Sequence, residues 1–239
     1  MNKIIQSLWI GDALSNSEIL CLKSYLANGH DFHLYVYEDI PNIPPGVILR
    51  DANELISKNR IFKDSHRTYA SFADWFRIKL LFSKGGWWVD MDTICLQYFH
   101  FPESYCIASE RDYTMEFNTV NNGYMKFPQN DPFLEELLKI METKIAEAET
   151  IIWGELGVYL FRKLLKDNNK LSKYAVEPEV FCPIDFFDIS SLICETDIKM
   201  GSETFAIHLW NEIWRRGCLS KNAVYHPKSI YEKLKERYL

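Results

Sequence analysis

The sequence predicts an α/β fold in which a central, mostly parallel sheet is flanked by helices. Two observations carry that expectation. Strand and helix patterns alternate through the first part of the chain, the order that builds strand–helix–strand units. A long apolar helical stretch also ends in Gly85-Gly86 and runs straight into Trp87-Trp88-Val89, three large apolar residues suited to a buried strand. With 239 residues, 47% apolar and 25% charged, the chain has ordinary globular composition and enough length for one sizeable core. A single domain over residues 1–239 is therefore expected.

The elements follow in order. Residues 4–10 read as a buried strand, and residues 15–27 as a helix capped by Ser15 or Asn16. Residues 32–37 alternate like a second strand, and the proline-rich stretch 41–46 is a surface loop. Residues 68–84 form a strong helix that Gly85-Gly86 stops. Strands are expected at 87–89, 94–96, 105–109 and 124–127, helices at 132–148 and 154–166, and a late strand at 205–210. The chain closes on an amphipathic helix over 229–238.

The most informative stretch is Gly-Gly-Trp-Trp-Val-Asp-Met-Asp, residues 85–92. Asp90 and Asp92 follow buried aromatics, where two like charges cost energy unless something compensates them. At the carboxyl end of a strand they can converge on one hard cation, Mn²⁺ or Mg²⁺, whose shell is completed by water and substrate phosphates. The bland alternative is an acidic pair capping a strand. Asp74 and Arg77 lie three apart on the preceding, almost wholly apolar helix, hence on one face. They are either a buried ion pair or a carboxylate and a guanidinium offered to a substrate, the guanidinium fork suiting phosphate oxygens.

Residues 70–93, with a helical Asp-x-x-Arg, a Leu-rich turn, Gly-Gly, an aromatic and Asp-x-Asp, resemble the sugar-binding region of DXD glycosyltransferases. That set includes glycosyltransferase family 32, the α-1,4-galactosyltransferase-like proteins and, more distantly, the clostridial glucosylating toxins. Weaker similarities run outward through Ile4–Gly11, Asn121–Met125, Asn130–Leu134, Trp153–Gly157 and Ala206–Asn211, so they touch most of the chain. Trp87-Trp88 and Val158 depart from the family's commoner residues.

The resemblance implies a GT-A-like nucleotide-diphospho-sugar transferase fold and hexose transfer from a nucleotide donor, UDP-linked and with retention, to a glycan or glycolipid. It assigns Asp92, with Asp90 and His208, to the metal. Trp9, Asp74, Arg77, Asp90, Asn122 and His208 are assigned to the donor, and Asp90, Asp92 and Arg77 to catalysis. The implied setting is bacterial surface polysaccharide or lipo-oligosaccharide synthesis. His208 in an apolar stretch can equally be a core histidine, and Trp153, Trp210 and Trp214 read as core or lid residues. Glu110 and Glu155 are secondary candidates for acid/base work or for orienting the acceptor.

Two rival classes fit parts of the octet. Asp90-Met91-Asp92-Thr93 matches the haloacid-dehalogenase phosphatase motif, but no adjacent Asp-Asp follows downstream. A non-catalytic carbohydrate-binding protein would leave the acidic cluster purely structural. The net charge of −6 argues against a nucleic-acid partner. No apolar run is long enough to span a bilayer, the first residues lack a secretory pattern, and the six scattered cysteines suit a reduced, cytoplasmic protein. The terminal helix, with Ile230, Leu234 and Tyr238 in a stripe ringed by lysines, either packs on the domain or touches a membrane face. The sequence does not give the oligomeric state.

Overall fold

A computed structural model describes residues 2–116, 118–166 and 168–239. The chain begins with β1 (Ile4–Trp9), α1 (Asn16–Ala27), β2 (Asp31–Val36) and β3 (Ile48–Asp51). It continues through α2 (Ala70–Lys84), β4 (Gly86–Val89), β5 (Thr93–Cys95), β6 (Cys106–Arg111) and β7 (Asn118–Phe127). The rest is mainly helical: α3 (Pro132–Glu147), α4 (Val158–Lys166), α5 (Asn169–Ser172), α6 (Pro178–Phe181), α7 (Ser190–Ile193), β8 (Ala206–His208), α8 (Asn211–Arg216) and α9 (Ile230–Tyr238).

Among the described residues the main sheet has six strands in the order β3-β2-β1-β4-β7-β6, and β5 and β8 form a separate antiparallel pair. The first four strands run parallel, and β7 is antiparallel to both of its neighbours. The carboxyl ends of β1, β2, β4 and β6 therefore share one edge, where an open α/β sheet places its ligands.

Two apolar layers cover the sheet. One face is packed by α2, α3 and α4 through Phe72, Trp75, Leu134 and Phe161, the other by α1, α9 and the β5–β8 pair through Leu22, Ile94, Ile207 and Leu234. The Trp87-Trp88 pair belongs to this arrangement. Successive residues on a strand point to opposite faces, so Trp87 enters one core and Trp88 the other, both nearly sealed from water. Each such burial contributes roughly 3 kcal/mol. Gly85 and Gly86 join α2 to β4 with φ of +67° and +88°, values that disfavour L side chains. A Cβ on Gly85 would also meet Gln129 N at 2.6 Å.

Several sequence expectations shift. β3 went unpredicted because all four of its residues are exposed at a sheet edge, leaving no buried face to alternate. β7 starts six residues earlier than expected, at Asn118, because its first half pairs only with β6. The late strand ends at His208 because Trp210 takes a left-handed φ of +61°. Helix α4 starts at Val158 rather than 154, after a turn with Gly154 at φ +79°. The stripe of α9 is covered: Ile230, Leu234 and Tyr238 are buried, and the Tyr238 hydroxyl donates to Cys95 O at 3.0 Å. That stripe is thus not available to a membrane. No described helix is long and apolar enough to cross one.

Candidate active site

The site is built where β4 ends. The Asp90 N–H donates to Gly123 O at 2.9 Å, tying the Asp-x-Asp turn to β7, and the Thr93 hydroxyl donates to Asp90 O at 2.7 Å, closing the turn. Helix α2 passes beneath. Because Asp74 and Arg77 are three residues apart on it, they share one face, from which Arg77 reaches the turn. Arg77 Nη2 donates to Asp90 Oδ1 at 2.8 Å and lies 3.4 Å from Asp74 Oδ1, while Nη1 donates to Asn122 O. Asn122 Nδ2 closes the ring by donating to Asp74 Oδ1 at 2.9 Å. The Trp88 indole N–H also donates to Asp90 Oδ1 at 2.8 Å, and the Arg77 guanidinium lies 5.1 Å from the Trp88 ring. With Oδ1 doubly engaged, Oδ2 is the Asp90 oxygen left for another ligand.

The second carboxylate is held from the other side of the chain. Thr93 pairs with His208 across β5 and β8. This places His208 Nε2 3.4 Å from Asp92 Oδ1, while Asp92 Oδ2 accepts the Asn211 N–H at 2.6 Å. His208 stacks on Trp210 with centroids 4.0 Å apart and meets the edge of Tyr124 at 5.9 Å. One ligand atom each from Asp90, Asp92 and His208 falls within a 4.8 Å group. Two carboxylates and an imidazole are a donor set suited to Mn²⁺ or Mg²⁺ with positions open for phosphate oxygens. His208 Nδ1, Tyr124 OH and Arg77 Nε are buried with no hydrogen-bond partner among the described residues.

The electrostatics follow from burial against pairing. Burial pushes the Asp74 carboxyl up to about 6, against the pull of Arg77. Burial raises Asp90 as well, again opposed by Arg77 and reinforced by Asp92. Burial would raise Asp92 too, but His208 and the Asn211 N–H hold it below the ordinary carboxylate range. The imidazole gains in turn: burial disfavours its charge, yet Asp92 lifts His208 well above its usual value.

Of the residues singled out from sequence, Asp74, Arg77, Asp90 and Asn122 thus form one network, with Asp92 and His208 beside it. Trp9 stands apart, on the neighbouring strand. It lines a cleft of about 350 Å³ with Tyr37, Glu38, Lys58, Ile61 and Tyr69, at the same sheet edge. A larger cleft of about 500 Å³, lined by Lys3, His33, Arg50 and Lys84, lies around the amino ends of β1, β2 and β4, away from the carboxylates. Glu155 is drawn off to Lys144. Glu110 accepts from Arg162 at 2.8 Å and from Asn121, whose Oδ1 receives the Gly123 N–H at 2.6 Å. Trp214 is core, at 2% exposure.

Sequence reasoning missed Gly157: a Cβ there would stand 2.0 Å from Asp74 Oδ2, so only glycine lets the carboxylate lie flat against that backbone. It also missed the Trp88 indole as a donor to Asp90. The Gly-x-x-Gly spacing was the one available signal for the first, and nothing local marked the second.

Residues 15–113 match the family model for the glycosyltransferase sugar-binding region containing DXD motif, a stretch that includes Asp74, Arg77, Asp90 and Asp92. Across those residues the chain is similar to DXD-motif glycosyltransferases. Asn122 and His208 lie beyond the matched residues. Among solved structures, the PaToxG glycosyltransferase aligns at a TM-score of 0.54 with 17% identity, over 70% of each chain, a likeness of fold. The apo-form glycosyltransferase GlyE of Streptococcus pneumoniae TIGR4 aligns at 0.46 with 13% identity, over 98% of this chain and 62% of its own. No curated protein sequence matches the chain. The mixed sheet flanked by helices is thus a GT-A-like glycosyltransferase fold, and the phosphatase alternative drops away with the family match.

Proposed function

We propose that this glycosyltransferase moves a hexose from a UDP-sugar to a glycan or glycolipid acceptor, with retention, as a single domain acting in the cytoplasm. The observation that supports it most is the convergence of Asp90, Asp92 and His208 within 4.8 Å, beside the Asp74–Arg77–Asn122 network. These residues suit Mn²⁺ or Mg²⁺, with Asp92 and His208 as ligands and Asp90 joining through Oδ2. When bound, the cation supplies neutralisation of the diphosphate that leaves as the glycosidic bond breaks.

The protein's own groups do the remaining work. Arg77 fixes the Asp90 carboxylate and balances its charge. Asp74 and Asn122 present a carboxylate and an amide to donor-sugar hydroxyls, and the Trp9 cleft receives the nucleoside. Bacterial surface polysaccharide or lipo-oligosaccharide synthesis is the setting we infer.

The test is a screen of UDP- and GDP-hexoses for Mn²⁺-dependent release of the nucleoside diphosphate. A UDP-hexose hydrolysed in Mn²⁺ and untouched in EDTA is expected. Release from GDP-sugars alone would overturn the donor assignment, and release from none would overturn the reading.

A further inference from the structure

The hairpin formed by β6 and β7 outruns the rest of the sheet. β7 pairs with β4 only from Tyr124 to Phe127, whereas residues 118–121 pair with β6 alone. The β6–β7 register shifts between Ile107 and Ala108, where the hairpin leaves the sheet; bulges at such places are common beside active sites. Beyond the strands, Tyr113 is 73% exposed. Its ring nonetheless lies 4.7 Å from Phe186, edge-on, and 5.3 Å from Phe187, stacked at 28°.

This aromatic group is continuous with the candidate metal cluster. Phe186 meets Trp210 at 5.9 Å, and Trp210 stacks on His208. The segment that carries the two phenylalanines is held just before them: Ile184 O accepts the Trp210 indole N–H at 2.8 Å, and Asp185 accepts from Arg111 at 2.8 Å.

The platform's position selects its occupant. In the strand order, β4 and its Asp-x-Asp turn sit between β1 on one side and β7 and β6 on the other. The Trp9 cleft occupies the β1–β2 flank. Tyr113 and Phe187 occupy the opposite flank, from which a second substrate can approach a sugar held at the turn. A pyranose ring offers one face of polarised C–H groups, complementary to the negative face of an aromatic ring, and hydroxyls at its rim for carboxylates such as Asp185.

We infer that Tyr113, Phe186 and Phe187 form the acceptor subsite of this glycosyltransferase and that it takes a hexopyranose unit of a glycan by stacking. The inference rests on the transferase reading above. The test uses the whole chain with Mn²⁺ and UDP, probed with methyl glycosides of glucose, galactose, mannose and their N-acetylamino forms by saturation-transfer NMR.

At least one glycoside is expected to receive saturation from the wild type. Tyr113→Ala and Phe187→Ala should each lower it at least fivefold while keeping the melting temperature and UDP affinity of the parent. Saturation to no glycoside, or undiminished saturation in both variants, overturns the subsite. So does a change of oligomeric state in Tyr113→Ala, which would assign the patch to a second copy of the chain. Failure of the wild type to bind UDP in Mn²⁺ would instead overturn the transferase reading beneath it.

Discussion

Arg77 Nη2 donates to Asp90 Oδ1 at 2.8 Å from a side chain only 6% exposed, so the guanidinium that neutralises helix α2's own Asp74 also fixes the first carboxylate of the Asp-x-Asp turn. One buried cation thus serves two carboxylates on separate elements. Removing it leaves both carboxylates without that partner, which for buried pairs costs about 3–5 kcal/mol. Arg77→Ala should lose that much stability in urea unfolding, and donor hydrolysis with it. Arg77→Lys, which keeps the charge but not the fork, should recover part of the stability and little of the activity. Equal activity in the parent and Arg77→Lys would show that the fork is not needed.

Gly157 and Asp74 give a test that adds only a methyl group. Gly157→Ala must push the Asp74 carboxylate off Arg77 and Asn122, because the added carbon would overlap Oδ2. Overpacking of this kind costs about 1–3 kcal/mol. We expect a lowered melting temperature and a roughly tenfold or greater rise in donor KM. An unchanged KM would detach Asp74 from donor binding.

Asp74 also makes a pH prediction. Its folded pKa is raised to about 6 by burial, so the folded state holds that proton more tightly than the unfolded state. The stability this adds is fully present below the unfolded value and is lost as pH rises through about 6. Asp74→Asn cannot ionise, so parent stability relative to this variant should fall between pH 4 and 7 when both are unfolded in EDTA. A pH-independent difference would contradict the assignment.

The buried stripe of α9 separates core from membrane. Leu234→Ala should cost about 2–5 kcal/mol in unfolding, as buried leucines do. A variant that unfolds like the parent but loses binding to anionic vesicles would restore the membrane role.

The part of the site carried by residues 70–93 was legible because its signals are local. Helical spacing put Asp74 and Arg77 on one face, the double glycine marked the stop, and a fixed strand direction put two carboxylates at its end. His208 was legible as a candidate only. Its partner Asp92 is reached through the β5–β8 pairing, a contact between distant residues that no local periodicity encodes. Gly157 was hidden for a different reason: a glycine's reason for being there is the atom that fills its missing side chain, here a carboxylate on another helix. β3 escaped because periodicity reports burial, and an exposed edge strand has none. The expectation of a mostly parallel sheet held, but which strand turns back, here β7, is a property of topology that no local residue pattern encodes.

Thermal unfolding with UDP and Mn²⁺, alone and together, in the parent and in Asp92→Asn tests the central claim most directly. If Asp92 and His208 hold a cation that receives a diphosphate, UDP at a hundredfold excess over its Kd adds about 2.7 kcal/mol of stability, and only with Mn²⁺ present. Asp92→Asn should fold and show no such gain. A parent chain indifferent to UDP and Mn²⁺, or an Asp92→Asn variant stabilised as strongly as the parent, would contradict it.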